Sequence, residues 1–102
     1  MEALAVTKLL EKYKTSLNAA CMLKCLTASG VLRDVNYEST SGSGEIKTFK
    51  EISPDHIKYG ANIPTMHELK TEPRFYSERF VELLEIAVCQ LKSEIEDIKK
   101  HA

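Results

Sequence analysis

The sequence predicts an α+β fold in a single folding unit of 102 residues. Three observations predict this class. Apolar residues recur at helical spacing near both ends of the chain, strand-forming residues around a glycine-containing turn occupy the middle, and no internal repeat is visible. A chain of this length can bury one modest hydrophobic core. We therefore expect a body over residues 1–74 and a long amphipathic C-terminal helix over residues 75–102.

The composition is that of an ordinary folded protein, with 43% hydrophobic and 28% charged residues. The 14 Lys and Arg residues against 15 Asp and Glu residues give a net charge of −1, which does not favour a partner held mainly by phosphate neutralisation. No apolar run approaches the roughly 20 residues that span a bilayer, and the N-terminal residues do not follow a signal-peptide pattern. The three cysteines have no framework spacing, which is typical of a reducing cytoplasm. We expect a cytoplasmic protein with no membrane partner.

Two helices are expected before residue 30. The first covers residues 3–14, where apolar and charged side chains fall on opposite faces. Thr15 and Ser16 supply hydroxyl groups that can cap the second helix, over residues 16–29, which Gly30 ends. This second helix is apolar on almost every side. That pattern predicts a helix that is buried or covered by a partner.

Residues 31–52 predict a β-hairpin. The strand-forming stretches VLRDVNYES and EIKTFKEI flank a Thr-Ser-Gly-Ser-Gly run, whose glycines allow the positive φ of a turn. Neither flank can bury enough surface alone, so we interpret the run as the tip of the hairpin rather than as a linker. Ile46 and Ile52 share a face that Phe49 does not. We therefore expect either a bulge or a hairpin with only its base buried.

A short helix and a loop are expected after the hairpin. Ser53-Pro54-Asp55 combines a cap, a proline at the first helical position and an acid near the positive end of the helix dipole. Gly60 ends this helix. Residues 61–74 contain two prolines and no sustained period, so they predict an ordered loop crossing the surface.

The C-terminal helix, expected from Ser77 to about Lys99, is the clearest interaction feature of the sequence. Its length of roughly 35 Å exceeds what a small domain needs, and its apolar residues follow near-heptad spacing. The alternative to self-association is a helix packed along its own domain. We favour a homodimer. The predicted dimerisation residues are Phe80, Leu84, Val88, Leu91, Ile95 and Ile98.

Motifs for catalysis are missing from the sequence. It contains no Gly-x-Ser-x-Gly and no His-Glu-x-x-His, and Gly42-Ser-Gly44 precedes strand-forming residues rather than the helix that a nucleotide-binding turn requires. Cys21 and Cys25 are four residues apart on one helical face, a spacing that two zinc ligands can use. Free cysteines in an apolar helix are more often core residues. We expect a non-enzymatic protein with no metal, cofactor or small-molecule substrate.

The order of predicted elements is that of a winged helix that lacks, or has displaced, one helix. In that fold the helix before the hairpin enters the major groove of DNA, and the hairpin contacts the backbone. Asparagine can pair with adenine, and lysine with guanine or phosphate. The second helix nevertheless offers few polar side chains for base reading. The candidate DNA- or partner-binding residues are Ser16, Asn18, Lys24, Arg33, Ser41, Ser43, Lys47 and Lys50.

Two stretches carry a family resemblance. The stretch LTASGVLRDVNY…GEIKTFKEIS, with its Gly-x-Leu turn before a hairpin, resembles the small winged-helix segments of phage and prophage regulators. The stretch IKYGANIPTMHELKTEPRFYSERFVELL is similar to the tail that follows in phage antirepressor-type proteins. It has a Tyr-Gly-x-Asn turn, a polar loop, and then Pro-x-Phe-Tyr before a helix start. The residues that carry this second likeness are Tyr59, Gly60, Asn62, Pro73, Phe75, Tyr76, Phe80, Leu83 and Leu84.

The resemblance covers about residues 16–84 and implies a mobile-element origin, a winged-helix-like body and DNA-linked regulation in a bacterial host cell. The first function we expect is that of a phage-type regulatory protein that binds duplex DNA or a DNA-bound complex. The alternative is an inhibitor that binds a host protein or nucleoprotein complex. Its target would be a defence nuclease complex, as for an anti-CRISPR protein, or the host transcription machinery. In that case the hairpin tip and residues 61–74 form the contact surface.

Overall fold

The computed structural model describes residues 2–38, 44–67 and 69–101, and its architecture is mixed α+β, as the sequence predicts. A long helix follows the strands, also as predicted. The winged-helix arrangement of the body is not confirmed and stays a prediction. The elements are β1 (Ala3–Leu4), α1 (Val6–Lys12), α2 (Ala19–Ala28), β2 (Leu32–Glu38), β3 (Ile46–Ile52), β4 (Gly60–Pro64), β5 (Thr71–Tyr76) and α3 (Phe80–His101), with 3₁₀ turns over Pro54–Tyr59 and Ser77–Arg79.

The N-terminal elements differ from the prediction in two details. Strand β1 pairs antiparallel with Phe75 and Tyr76 of β5, so the first helix begins only at Val6. Helix α2 is capped by Asn18, whose Oδ1 accepts a hydrogen bond from the Cys21 N–H at 2.8 Å. The predicted cap by Thr15 or Ser16 is therefore wrong, because Asn18 is closer to the first helical turn and is an equally good capping residue.

The hairpin is formed by β2 and β3, which pair antiparallel without interruption from Leu32–Ile52 to Glu38–Ile46. Leu32 and Ile52 are each 1% exposed, whereas Ile46 is 62% exposed. Only the base of the hairpin is therefore buried, which is one of the two predicted arrangements, and these pairs contain no bulge. The predicted tip residues Ser41 and Ser43 lie outside the described residues.

The loop predicted over residues 61–74 is wrong, because β4 and β5 pair antiparallel there from Gly60–Phe75 to Pro64–Thr71. The two prolines do not prevent this pairing. Pro64 is the last residue of β4, and β1 reaches only Phe75 and Tyr76, so β5 has no described strand beside it at Pro73 on that edge. The sheet order is β1-β5-β4, and the hairpin forms a separate two-stranded sheet.

The hydrophobic core lies between the three helices and the bases of the two sheets. The aromatic rings of Tyr13 and Phe80 stack with their centroids 5.1 Å apart and join the end of α1 to the start of α3. Helix α2 buries only one side, since Ala20 and Lys24 are exposed. The core residues are Val6, Leu9, Leu10, Met22, Cys25, Leu26, Val31, Leu32, Ile52, Tyr59, Phe75, Phe80, Leu83 and Ala87.

Asn62 joins the two sheets. Its Oδ1 accepts a hydrogen bond from the Ile52 N–H at 2.8 Å, and its Nδ2 donates to the Ile52 carbonyl at 3.1 Å. One side-chain amide thus satisfies both polar groups of a β3 residue on the side that faces β4. This connection fixes the base of the hairpin against the second sheet.

Candidate functional site

The outer half of the hairpin contacts the turn between β4 and β5. The Tyr37 ring of β2 lies 5.7 Å from the ring of Phe49 on β3 and meets the His67 ring edge-on at 5.2 Å. His67 belongs to the β4–β5 turn, so two projecting segments share one surface. We define the hairpin–turn surface as Tyr37, Lys47, Phe49, Met66, His67, Leu69 and Lys70.

Hydrogen bonds within the β4–β5 turn hold its shape. The Thr65 Oγ1 accepts from the His67 N–H at 3.1 Å and lies 2.9 Å from the Lys70 carbonyl oxygen, to which it can donate. The Leu69 N–H donates to His67 Nδ1 at 3.2 Å. A neutral His67 ring therefore carries its proton on Nε2.

This turn exposes apolar side chains at its tip. Met66 is fully exposed and Leu69 is half exposed, at 50%. Exposed apolar side chains that are close in sequence can form part of a protein contact site. Methionine in particular adapts its shape to a partner. The lysines Lys47 and Lys70 add positive charge at the border of the same surface.

Most of the predicted hairpin cations are engaged by acids of the neighbouring strand. Lys50 Nζ lies 2.9 Å from Asp34 Oδ1, and Arg33 forms an ion pair with Glu51. Lys47 is exposed, and no ion pair to another described residue involves it. The hairpin therefore offers one uncommitted cation of the three that were predicted to bind a partner.

The predicted binding residues of the second helix lie near its N-terminal half. Ser16 and Asn18 are exposed and precede the first turn of α2, and Lys24 is exposed near its middle. The amide oxygen of Asn18 is used by the helix cap, which competes with the pairing to adenine for which it was considered. In the pair that joins the hairpin to the turn, His67 lies within the contact segment 61–74 of the alternative prediction, whereas Tyr37 and its contact with His67 were not predicted. The two residues are 30 residues apart in sequence, so no local pattern reveals their contact.

Helix α3 carries a second exposed surface. Phe80, a predicted dimerisation residue, is instead 2% exposed and packs in its own core. Leu84 and Leu91 are partly buried at the border of the core, and the remaining predicted residues, Val88, Ile95 and Ile98, are exposed. Val81 is 64% exposed and was missed by the prediction. The signal was present, since Val81 stands three residues before Leu84 in the same three-and-four spacing.

Ser53 and His56 are two reactive side chains that lie within hydrogen-bonding distance of each other. The Ser53 Oγ lies 2.9 Å from His56 Nδ1, but it also lies 2.7 Å from the Gly30 carbonyl oxygen, to which its proton is donated. This hydroxyl ties the end of β3 to the turn after α2, rather than capping the helix start at Pro54 as predicted. Burial raises the pKa of the Cys25 thiol, so the nucleophilic thiolate is disfavoured.

Across residues 2–38, 44–67 and 69–101, no three His, Cys, Asp or Glu side chains are grouped so that they could hold a metal ion. None of the helices in these ranges has the length and apolar character needed to cross a membrane.

Comparisons with protein-family models, with curated proteins and with solved structures found no match to this chain. The two exposed surfaces described above are the hairpin–turn surface and the exposed apolar side chains of α3.

Proposed function

We propose that the protein is a non-enzymatic, phage-type regulatory protein that acts by binding a host protein or nucleoprotein complex through the hairpin–turn surface. The observation that carries this proposal is the edge-on contact between Tyr37 and His67. It joins the hairpin to a turn that exposes Met66 and Leu69. The target is a defence nuclease complex or part of the transcription machinery of a bacterial host, and the protein works in the cytoplasm.

The side chains of the hairpin–turn surface indicate what kind of binding site a partner would present. Burying Met66 or Leu69 in an apolar pocket stabilises a complex by about 1.5–3 kcal/mol for each side chain. The ordered turn limits the conformational entropy that is lost on binding. Lys47 and Lys70 favour acidic groups at the border of that pocket.

A second candidate function is binding to duplex DNA or to a DNA-bound complex through the hairpin. Lys47 favours it, because this exposed lysine lies on the hairpin and is not engaged by a described acid. The ion pairs of Arg33 and Lys50 leave few further phosphate contacts. A low number of such contacts gives a shallow dependence of affinity on salt.

The proposed function is tested by capture of partners from bacterial lysate with tagged protein, with and without nuclease. We expect a retained protein that survives nuclease treatment and is lost from a Met66→Glu/Leu69→Glu variant. Ile57→Glu is the matched control, because Ile57 is 54% exposed but lies in the 3₁₀ turn after β3, outside the hairpin–turn surface. This control should retain the protein.

Other results of this experiment would reject the proposal. Equal retention by the Met66→Glu/Leu69→Glu variant excludes the hairpin–turn surface as the contact site. Loss of retention on nuclease treatment excludes a target that is protein alone. Retention of purified duplex DNA by the parent then favours the DNA candidate over a nucleoprotein complex. In that case Lys47→Ala with Lys50→Ala should weaken retention of duplex DNA and reduce its salt slope, whereas no retention by the parent at about 50 mM salt excludes it.

The proposal includes a homodimer. The exposed apolar side chains of α3 belong to a different element from those of the hairpin–turn surface, and in this proposal one chain binds a second copy and a target at the same time. Two copies of the hairpin–turn surface would raise the apparent affinity for a target that presents two sites.

A further inference from the structure

The apolar stripe of α3 follows an unbroken alternation of three- and four-residue steps. In heptad notation Val81, Val88 and Ile95 occupy the a positions, and Leu84, Leu91 and Ile98 occupy the d positions. When the series starts at Val81 instead of the predicted Phe80, its spacing is regular over its whole length. A regular heptad pattern of this kind is typical of a helix that pairs with another helix.

The body of the protein covers the side of α3 next to the stripe, and Leu84 and Leu91 of the stripe are partly buried against it. Leu83 and Ala87 are buried and face the core, whereas Val81 and Val88 are exposed. From Lys92 to His101 every residue is exposed, so the last turns of the helix extend beyond the body. Ile95 and Ile98 lie in this extension, 49% and 68% exposed. A partner helix can therefore contact the exposed residues of the heptad stripe without displacing the core.

We propose that a second copy of the chain covers this stripe, and that the two α3 helices form a parallel, in-register, two-stranded coiled coil. The inference rests on the homodimer of the proposed function and adds the interface and its orientation. The a positions are all β-branched, and two of the three d positions are leucine, which is the pattern that favours two strands in parallel coiled coils. In a parallel pair a meets a and d meets d, so this separation of residue types forms distinct layers. In an antiparallel pair a meets d, and the separation has no consequence.

Charges beside the stripe are consistent with the parallel register. Glu94 stands at a g position and Lys99 at the following e position, so a parallel pair sets Glu94 of each copy beside Lys99 of the other. Within one chain Lys99 Nζ lies 3.4 Å from Glu96 in an exposed ion pair, which contributes little and can be exchanged. An antiparallel pair would instead set Glu85 beside Lys92. Cross-linking must therefore decide the orientation.

The test adds one cysteine at either end of the stripe in a Cys89→Ser background, in which the remaining cysteines are the half-buried Cys21 and the buried Cys25. Ile98→Cys alone and Val81→Cys alone should each form a disulfide-linked dimer in a glutathione redox buffer. In a parallel, in-register pair each of these residues lies opposite the same residue of the other chain. Lys100→Cys is the matched control, since Lys100 is exposed at the same end of α3 but at an f position, away from the stripe. It should give much less covalent dimer.

The outcomes separate the orientation from the existence of the dimer. Disulfides that form only when Val81→Cys and Ile98→Cys chains are mixed would overturn the parallel arrangement in favour of the antiparallel one. Sedimentation of the Cys89→Ser parent is run beside each cross-linking reaction. A dimeric parent in which Ile98→Cys links no better than Lys100→Cys rejects the proposed coiled coil alone. A monomeric parent rejects the homodimer as well.

A charge exchange gives a second readout that does not depend on disulfides. Glu94→Lys should raise the dimer dissociation constant by about 3- to 10-fold, because two attractive pairs become repulsive. Glu94→Lys with Lys99→Glu should restore the parent value, since the pairs are re-formed with opposite polarity. A double variant that stays as weak as the single one would contradict the pairing of Glu94 with Lys99.

Discussion

Asn62 illustrates how a single side chain decides the arrangement of this fold. It lies in β4, yet its amide group bonds the main chain of Ile52 in β3 as a neighbouring strand would. The sequence contains Asn62 within a Tyr-Gly-x-Asn turn motif, but its partner is ten residues away and in the other sheet. No local pattern could predict a bond between a side chain and a distant main chain.

Replacement of Asn62 should therefore destabilise the protein. Asn62→Ala leaves the Ile52 N–H and carbonyl without their partner in a partly buried position, which costs about 1–3 kcal/mol in the free energy of unfolding. Urea unfolding measures this difference. Asn36→Ala is the control, because Asn36 lies on the hairpin outside the core. Its effect should stay within about 0.5 kcal/mol, and equal losses for both variants would show that Asn62 has no special role.

The cap of α2 shows a second limit of sequence reasoning at the scale of residues. Thr15, Ser16 and Asn18 are all suitable capping residues, and their spacing does not distinguish them. The structure selects Asn18 because the helix begins only at Ala19. Which residue caps α2 depends on where the helix begins, and this start depends on how α2 packs against α1 and α3. The residues around the cap do not specify that packing.

At the scale of elements, the hairpin and the long helix were predictable and the second sheet was not. The alternation of strand formers around β2 and β3 and the heptad spacing of α3 are periodic signals that extend over several turns or pairs. Strands β4 and β5 are short and contain prolines, and their pairing depends on a neighbour rather than on their own pattern. The composition of β4 and β5 is typical of a loop, although the two segments pair as strands.

Gly60 supplies a test of the second sheet. A Cβ atom at this position would lie 2.1 Å from the Arg74 carbonyl oxygen and 2.9 Å from the Phe75 Cα, both main-chain atoms of β5. Gly60→Ala must therefore push the paired strands apart, and we expect a loss of about 3 kcal/mol or more in the free energy of unfolding.

Gly30→Ala is the comparison for this variant. Gly30 has a φ of +90°, but no described residue beyond its chain neighbours has an atom within 4 Å of the place that an alanine methyl group would occupy. The loss should therefore be limited to the backbone strain of about 1–2 kcal/mol. Chemical denaturation of the two variants and the parent measures both values. A smaller loss for Gly60→Ala than for Gly30→Ala would contradict the close pairing of β4 with β5.

At the scale of the whole molecule, the protein combines a small body with a helix that extends beyond it. The α+β class and this extension were predicted from periodicity and length, whereas the assembly of two sheets around one core was not. That assembly depends on contacts such as the Tyr37–His67 edge-on pair, whose members are far apart in sequence. The function proposed for the hairpin–turn surface depends on the same non-local contact.

The homodimer is tested at this scale by sedimentation of the whole chain. We expect the parent to be dimeric at tens of micromolar and an Ile95→Glu/Ile98→Glu variant to be monomeric, because four buried carboxylates would replace the apolar end of the stripe. Asp97→Asn/Lys100→Gln is the matched control, since both residues are exposed on the outer side of the same turns. It should remain dimeric. A monomeric parent at this concentration would contradict the homodimer.

The pairing of β1 with β5 has a consequence for the order in which the chain folds. Ala3 and Leu4 pair with Tyr76 and Phe75, the Ser77 N–H donates to the Glu2 carbonyl, and Tyr13 stacks on Phe80. During synthesis residues 2–13 are made before residues 75–80, so they cannot reach these partners until that later segment is available. Contacts of such high sequence separation slow folding, because a long loop must close before they form. Docking of β1 onto β5 is therefore expected to be a late step in folding.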